Sequence, residues 1–155
     1  MRTHLSPARA LSGLALLPAL TAAQSTLESC LDAASVPYHA PGSEAWDQDV
    51  APFNTRLPYE PAAIVVATAT EHIEGAVKCA VEAGVKVNAK AGGHSYASLG
   101  LGGEDGHLVV QMDRMHEVRL EGETAVVQGG ARLGHVATEL WEQGGRAISH
   151  GTCPG

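Results

Sequence analysis

No run in these 155 residues is long and apolar enough to cross a bilayer, and none of them forms a basic stripe. The most apolar stretch, Leu11 to Leu20, is interrupted by Ser12, Gly13 and Pro18. Lys and Arg together number 10 against 17 Asp and Glu, a formal charge of −7, which argues against nucleic acid or an anionic membrane surface as partner. No internal repeat occurs. The Gly-x-Gly-x-x-Gly fingerprint of nicotinamide-binding folds is absent. His107, His116, His135 and His150 lack the spacing of a metal cage, so no metal is expected and they read as surface or supporting residues. Cysteine is scarce and odd in number, at three.

The N-terminus has the layout of a secretory leader. Arg2 and Arg9 flank a basic start, the interrupted apolar run follows, and Thr21-Ala22-Ala23 offers small residues for cleavage. Residues 1–23 are therefore expected to be removed. That leaves 132 residues, enough for one small domain, with a formal charge of −9 because two arginines go and no acid does. The product is expected to be soluble and secreted. In such a protein one leftover Cys suggests a reactive or otherwise occupied thiol. Cys30 and Cys79 are the natural pair, but counting alone leaves Cys30–Cys153 and Cys79–Cys153 open.

The pattern along residues 24–155 is α+β. A short helix is expected around Thr26–Ala34, then an irregular stretch to Leu57. Ile64–Ala67 suits a buried strand. Thr70–Ala83 reads as a helix with Ile73, Val77, Ala80 and Val81 on one face, capped by Thr68 or Thr70 and ended by Gly84. Val85–Ala89 alternates as a strand, completing a β-α-β unit whose two strands are expected to pair in parallel. Leu108–Met112 is a third strand. Val118–Leu120 and Thr124–Gln128 form a hairpin that opens a second layer. Leu133–Gln143 reads as a helix with Leu133, Val136, Ala137, Leu140 and Trp141 inward, and Ala147–Ser149 as a short strand. Trp46 and Trp141 read as packing residues, Asp113-Arg114 as an ion pair or turn, and Glu104-Asp105 as a solvated turn.

Two Gly-rich loops carry the chemistry. Lys90-Ala91-Gly92-Gly93-His94-Ser95-Tyr96 begins where the second strand ends. Its adjacent glycines let successive N–H groups face one concavity suited to a pyrophosphate, beside the Lys90 charge and the Ser95 hydroxyl. His150-Gly151-Thr152-Cys153-Pro154-Gly155 presents a thiol in a polar turn rather than on an apolar face. His150 stands next to it, a neighbour able to lower the thiol's pKa or act as a base. A secreted Cys/His hydrolase would use this pair, but no oxyanion arrangement accompanies it.

Several blocks in order resemble one family. These are Lys90–Tyr96, Gly102-Gly103-Glu104-Asp105-Gly106-His107, Asp113-Arg114-Met115, Gln128-Gly129-Gly130-Ala131-Arg132-Leu133-Gly134 and Ser149–Pro154. The stretch from Trp46 to Gly155 resembles the flavin-binding domain of the berberine-bridge-enzyme-like oxidases. That family lies within the vanillyl-alcohol-oxidase superfamily, and the likeness is strongest to its fungal glucooligosaccharide and chitooligosaccharide oxidases. The resemblance implies an FAD-binding PCMH-type domain of two α+β subdomains, incomplete at the C-terminus. It implies FAD held covalently through His94, on the ring's 8-methyl carbon, and through Cys153, on the neighbouring 6-carbon. Lys90, Ala91, Gly92, Gly93, Ser95 and Tyr96 would form the phosphate loop, and Gly129, Gly130 and Ala131 would approach the cofactor through backbone. Cys30 and Cys79 match the family's disulfide.

The implied activity is oxidation of an alcohol, foremost the anomeric hydroxyl of an oligosaccharide, with dioxygen reduced to hydrogen peroxide. The family's catalytic base, a Tyr assisted by an acid, belongs to a later region, and Tyr38, Tyr59 and Tyr96 do not match it. The alternative reading is a cofactor module without turnover.

Overall fold

The computed structural model describes residues 17–155; residues 1–16, with the basic start of the expected leader, lie outside the described residues. The elements in chain order are α1 (Leu17–Ala33), β1 (Tyr38–His39), α2 (Trp46–Asp49), β2 (Ala63–Val66), α3 (Thr70–Ala83), β3 (Val87–Lys90), β4 (Leu108–Gln111), β5 (Val118–Glu121), β6 (Thr124–Val127) and α4 (Leu133–Gly144). A single 3-10 turn at Leu99–Leu101 lies between β3 and β4. Among the described residues no helix is long and apolar enough to cross a membrane.

β1 to β4 form one sheet in the order β1-β2-β4-β3, with β1 antiparallel and the other three parallel. The strands flanking α3 are thus parallel as expected, but they do not pair with each other. β4 lies between them. Burial explains this: β4 is the Leu-Val-Val strand and is buried, whereas β3 alternates between exposed and half-buried positions and takes the edge. Successive side chains of β2 and β4 leave the sheet on opposite faces. Ala63, Val65, Leu108 and Val110 meet α1 and α3 on one side, while Ile64 and Val109 meet Trp46 on the other.

α1 runs longer than expected and carries Leu27 and Leu31, one turn apart and fully buried, against α3. Cys30 and Cys79 are joined in a disulfide across these helices, with Cα atoms 5.5 Å apart. The expected face of α3 holds at Ala80 and at the half-buried Ile73 but not at the two valines. Ala76, Cys79 and Ala80 are its buried residues, and Val77 and Val81 are 42% and 76% exposed. Close approach to α1 favours small side chains on that stripe, so the larger valines turn outward. Neither Thr68 nor Thr70 caps α3; Ala69 occupies the N-cap without a side-chain bond, and Gly84 closes the helix in the left-handed region.

β5 and β6 form an antiparallel ribbon turned at Gly122, on which α4 packs through Val136 and Leu140 against Val118. Two residues expected inward on α4 are not: Leu133 is 37% and Trp141 69% exposed. Ala147–Ser149 is not a strand and has no partner strand among the described residues. The turn at Gln128–Ala131 seats the ribbon on the first layer. Gly130 N–H donates to the Met115 carbonyl at 2.9 Å, and Met115 N–H in turn donates to Met112 O at 2.8 Å.

Candidate cofactor site

The first loop leaves the end of β3 and folds back over it. Gly93 has φ +71°, and the Lys90 side chain runs beneath it: a Cβ at position 93 would lie 3.1 Å from Lys90 Cε. The Lys90 ammonium donates to the Asp49 carbonyl at 2.6 Å, so in this structure it braces the last residue of α2. Burial pushes its pKa below the ordinary lysine value, against the opposing pull of Asp49 and Asp113. Ser95 Oγ accepts the Leu99 N–H at 3.3 Å, which starts the 3-10 turn and leaves the hydroxyl proton free to donate elsewhere. Ser98 is buried in the left-handed region with its Oγ unpartnered. The cavity it lines with Pro52, Phe53, Lys90, Gly93 and Gly100 is only about 10 Å³. That is room for a single water.

His94 and Tyr96 lie on the open side of the loop, both exposed. Phe53 stands between them, its ring centroid 5.3 Å from that of His94 and 5.5 Å from that of Tyr96. Asn54 Nδ2 donates to the Tyr96 carbonyl at 2.7 Å, fixing the same segment to the loop. Neither Phe53 nor Asn54 stood out in the sequence; the irregular stretch around them gave no periodic signal.

The second loop seats on the first turn of α4. Gly134 N–H donates to the Pro154 carbonyl at 2.7 Å, and Gly151 approaches the Leu133 side chain. Cys153 is an exposed free thiol. His150 Nδ1 lies 2.6 Å from the Gly151 carbonyl, so that nitrogen serves the loop's own backbone.

Arg132, the residue at the N-cap of α4, connects the two loops. A Cβ placed on Gly92 would lie 3.0 Å from Arg132 Nη1 and 3.1 Å from His94 Nδ1. The guanidinium and the imidazole therefore flank the same bare Cα. Two residues further on, Gly134 holds the Cys153 loop. The signal for Arg132 was its place directly after Gly129-Gly130-Ala131, but nothing in its residue type marked it.

Those three residues divide. Gly130 is buried because Met112 O would lie 1.7 Å from any Cβ there; Ala131 is half-buried against Val118 and its neighbours; Gly129 is exposed. Asp113-Arg114 forms a turn. Glu104 sits in the Gly-rich turn, paired with Lys86 and with His107 at 3.0 Å, while Asp105 accepts the Glu60 N–H. His116 and His135 stack edge to face at 5.4 Å, each with a ring nitrogen on a backbone carbonyl. Among the described residues no three His, Cys, Asp or Glu side chains gather as a metal site.

Both nucleophiles that a doubly tethered flavin would need, an imidazole and a thiol, are exposed here. The His94 imidazole and the Cys153 thiol belong to two loops that both contact the start of α4.

A family described as an FAD binding domain matches residues 61–154. The xylooligosaccharide oxidase of Thermothelomyces thermophilus is 60% identical over 136 residues, which cover 86% of this chain and 27% of that protein. The solved xylooligosaccharide oxidase from Myceliophthora thermophila C1, in complex with xylobiose, superposes with a TM-score of 0.79 at 61% identity, covering 83% of this chain and 28% of that one. A structure of glucooligosaccharide oxidase from Acremonium strictum, described as carrying a 6-S-cysteinyl, 8α-N1-histidyl FAD, gives 0.79 at 52% identity, covering 83% and 27%. The chain thus spans just over a quarter of the length of these relatives.

Proposed function

Because the chain belongs to the FAD binding domain family, as the match over residues 61–154 shows, we propose that it is the flavin-holding part of an FAD-dependent carbohydrate oxidase, with His94 and Cys153 as the two covalent anchors. One observation carries this reading. Arg132 against Gly92 and His94, and Gly134 against Pro154, bring both Gly-rich loops to the start of one helix.

FAD supplies the acceptor for a hydride removed from the sugar's anomeric carbon, giving a lactone, and dioxygen takes the electrons on to hydrogen peroxide. This chain's residues hold that acceptor. His94 must offer a neutral ring nitrogen and Cys153 a sulfur able to lose its proton, because only those forms are nucleophilic. Two anchors fix the ring so that a bound sugar's C–H can be positioned against it. The loop backbone at Gly92 and Gly93 and the Ser95 hydroxyl supply donors for the phosphates. The substrate is an oligosaccharide presented by its reducing end, as the names of the relatives support. Residues 1–23 act as a secretory leader, so the protein is extracellular; the Cys30–Cys79 disulfide suits an oxidising compartment.

A second reading is favoured by the exposure of Trp141, Ile148, Val126 and Val127: residues 24–155 alone are a cofactor module without turnover. The full gene product and the 24–155 segment are each expressed with FAD. They are then assayed for acid-stable flavin on the His94 and Cys153 peptides and for peroxide from xylo- and cello-oligosaccharides. The expected result is flavin on both peptides, with peroxide from the full product only. Absence of covalent flavin from the full product overturns the assignment of anchors.

A further inference from the structure

We propose that the first turn of α4 is a spacer that sets the two anchors independently, and that the Gly134 amide is the positioning group for the sulfur anchor. The proposal rests on the reading that His94 and Cys153 both bind the flavin.

Gly134 is the second residue of α4. Its N–H is one of the donors that a helix start leaves without an intrahelical partner, and the Pro154 carbonyl accepts it at 2.7 Å. A Cβ at 134 would lie 3.1 Å from that oxygen and 3.3 Å from Pro154 Cβ. A Cβ here would push the loop back by a few tenths of an ångström, and a larger, branched side chain further. Pro154 has a fixed φ and confines the residue before it to extended backbone. Anchoring the Pro154 carbonyl therefore constrains the direction in which Cys153 presents its sulfur. On the other side of the same turn, Arg132 Nη1 packs beside Gly92 and His94. The two contacts fall on different loops, Arg132 on the first and Gly134 on the second.

Formation of the sulfur anchor joins Sγ to the ring's 6-carbon. The thiol proton and the ring proton at that carbon both leave to solvent. The two electrons remaining on the ring are taken by dioxygen, giving hydrogen peroxide. The step depends on orientation, so displacing Pro154 slows it without altering the imidazole.

The test uses the full-length protein as wild type, Gly134→Ala and Gly134→Val. Each is made with FAD, denatured, alkylated with iodoacetamide and digested, and the His94 and Cys153 peptides are weighed by mass spectrometry. The wild type is expected to carry flavin on both. In Gly134→Val, the Cys153 peptide is expected to lose at least about tenfold of its flavin, since a misplacement of ~1 Å can cost an oriented reaction up to ~10²-fold. It should appear alkylated instead, while the His94 peptide remains flavinylated. Gly134→Ala retains the N–H and needs only a small shift, so it is expected to fall between the two. Wild-type levels of flavin on Cys153 in Gly134→Val would overturn the proposal, as would equal loss from both peptides. A wild type lacking flavin on either peptide would instead show that the reading of the anchors has failed.

Discussion

Gly130 lies so close to the Met112 carbonyl that a Cβ on it would stand 1.7 Å from the oxygen. The neighbour is backbone, held in turn by Met115, so it cannot swing away as a side-chain tip would. Gly130→Ala must separate the β5–β6 ribbon from the first sheet. The expected cost is about 3 kcal/mol or more, at the upper end for overpacking. Urea unfolding of the full-length protein checks it, and a midpoint within error of wild type would contradict the packing.

The disulfide closes a sequence separation of 49 residues between α1 and α3. Chain-entropy bookkeeping puts its contribution at about 4 kcal/mol. Replacing Cys30 and Cys79 together with alanine avoids leaving a stray thiol, and a loss of about 2–5 kcal/mol is expected in equilibrium unfolding. Flavin on the Cys153 peptide should persist in the molecules that remain folded, because neither half-cystine reaches that loop.

The two faces of α3 respond oppositely to substitution. Ala80 is fully buried, so Ala80→Val is expected to cost about 1–3 kcal/mol by overpacking. Val81 is 76% exposed, and Val81→Ser should change stability by less than about 0.5 kcal/mol. The reverse order in thermal or urea unfolding would contradict this burial.

The outward turn of Val77 and Val81 marks one limit of what was legible in the sequence. The bounds of α3, the hairpin and the Cys30–Cys79 pairing were readable, because periodicity, turn glycines and family likeness all act on near neighbours or whole motifs. The position of β4 between β2 and β3 was not, since it depends on the relative burial of three strands that no local pattern compares. The outward turn of Leu133 and Trp141 was missed for the same reason as Val81: apolar type was taken for core position. At the site, His94 and Cys153 stood out as reactive groups in Gly-rich turns. Phe53, Arg132 and Gly134 act through contacts with residues distant in the chain, and residue type alone does not announce such contacts.

Lys90 should leave a signature in the pH dependence of stability. Its pKa is lowered in the folded protein, chiefly by burial, from an ordinary value of 10.5. Between the folded and the unfolded value the unfolded chain holds more protons, so this site makes stability rise with pH just below 10.5. Below the folded value the ammonium is charged in both states and its burial opposes folding. Lys90→Met retains the stem and removes the titration. The rise in melting temperature with pH in that alkaline window should be smaller in the variant; an unchanged slope would show that the ammonium is solvated when folded.

Gly92 provides the counterpart of Gly134. A Cβ there meets Arg132 Nη1 at 3.0 Å and the His94 ring at 3.1–3.2 Å, and both are side-chain ends able to yield. Gly92→Ala should therefore fold, with a stability change below about 1 kcal/mol. Its effect falls on the imidazole, which must turn away from the position it now holds. Flavin on the His94 peptide is expected to drop at least about tenfold, by the same sensitivity to misplacement of ~1 Å, while Cys153 remains modified. Arg132→Ala removes one of the two obstructing groups, so adding it to Gly92→Ala should recover part of the lost His94 labelling. Labelling that falls equally on both peptides in Gly92→Ala would mean that the loops move as one body and that the helix start does not separate them.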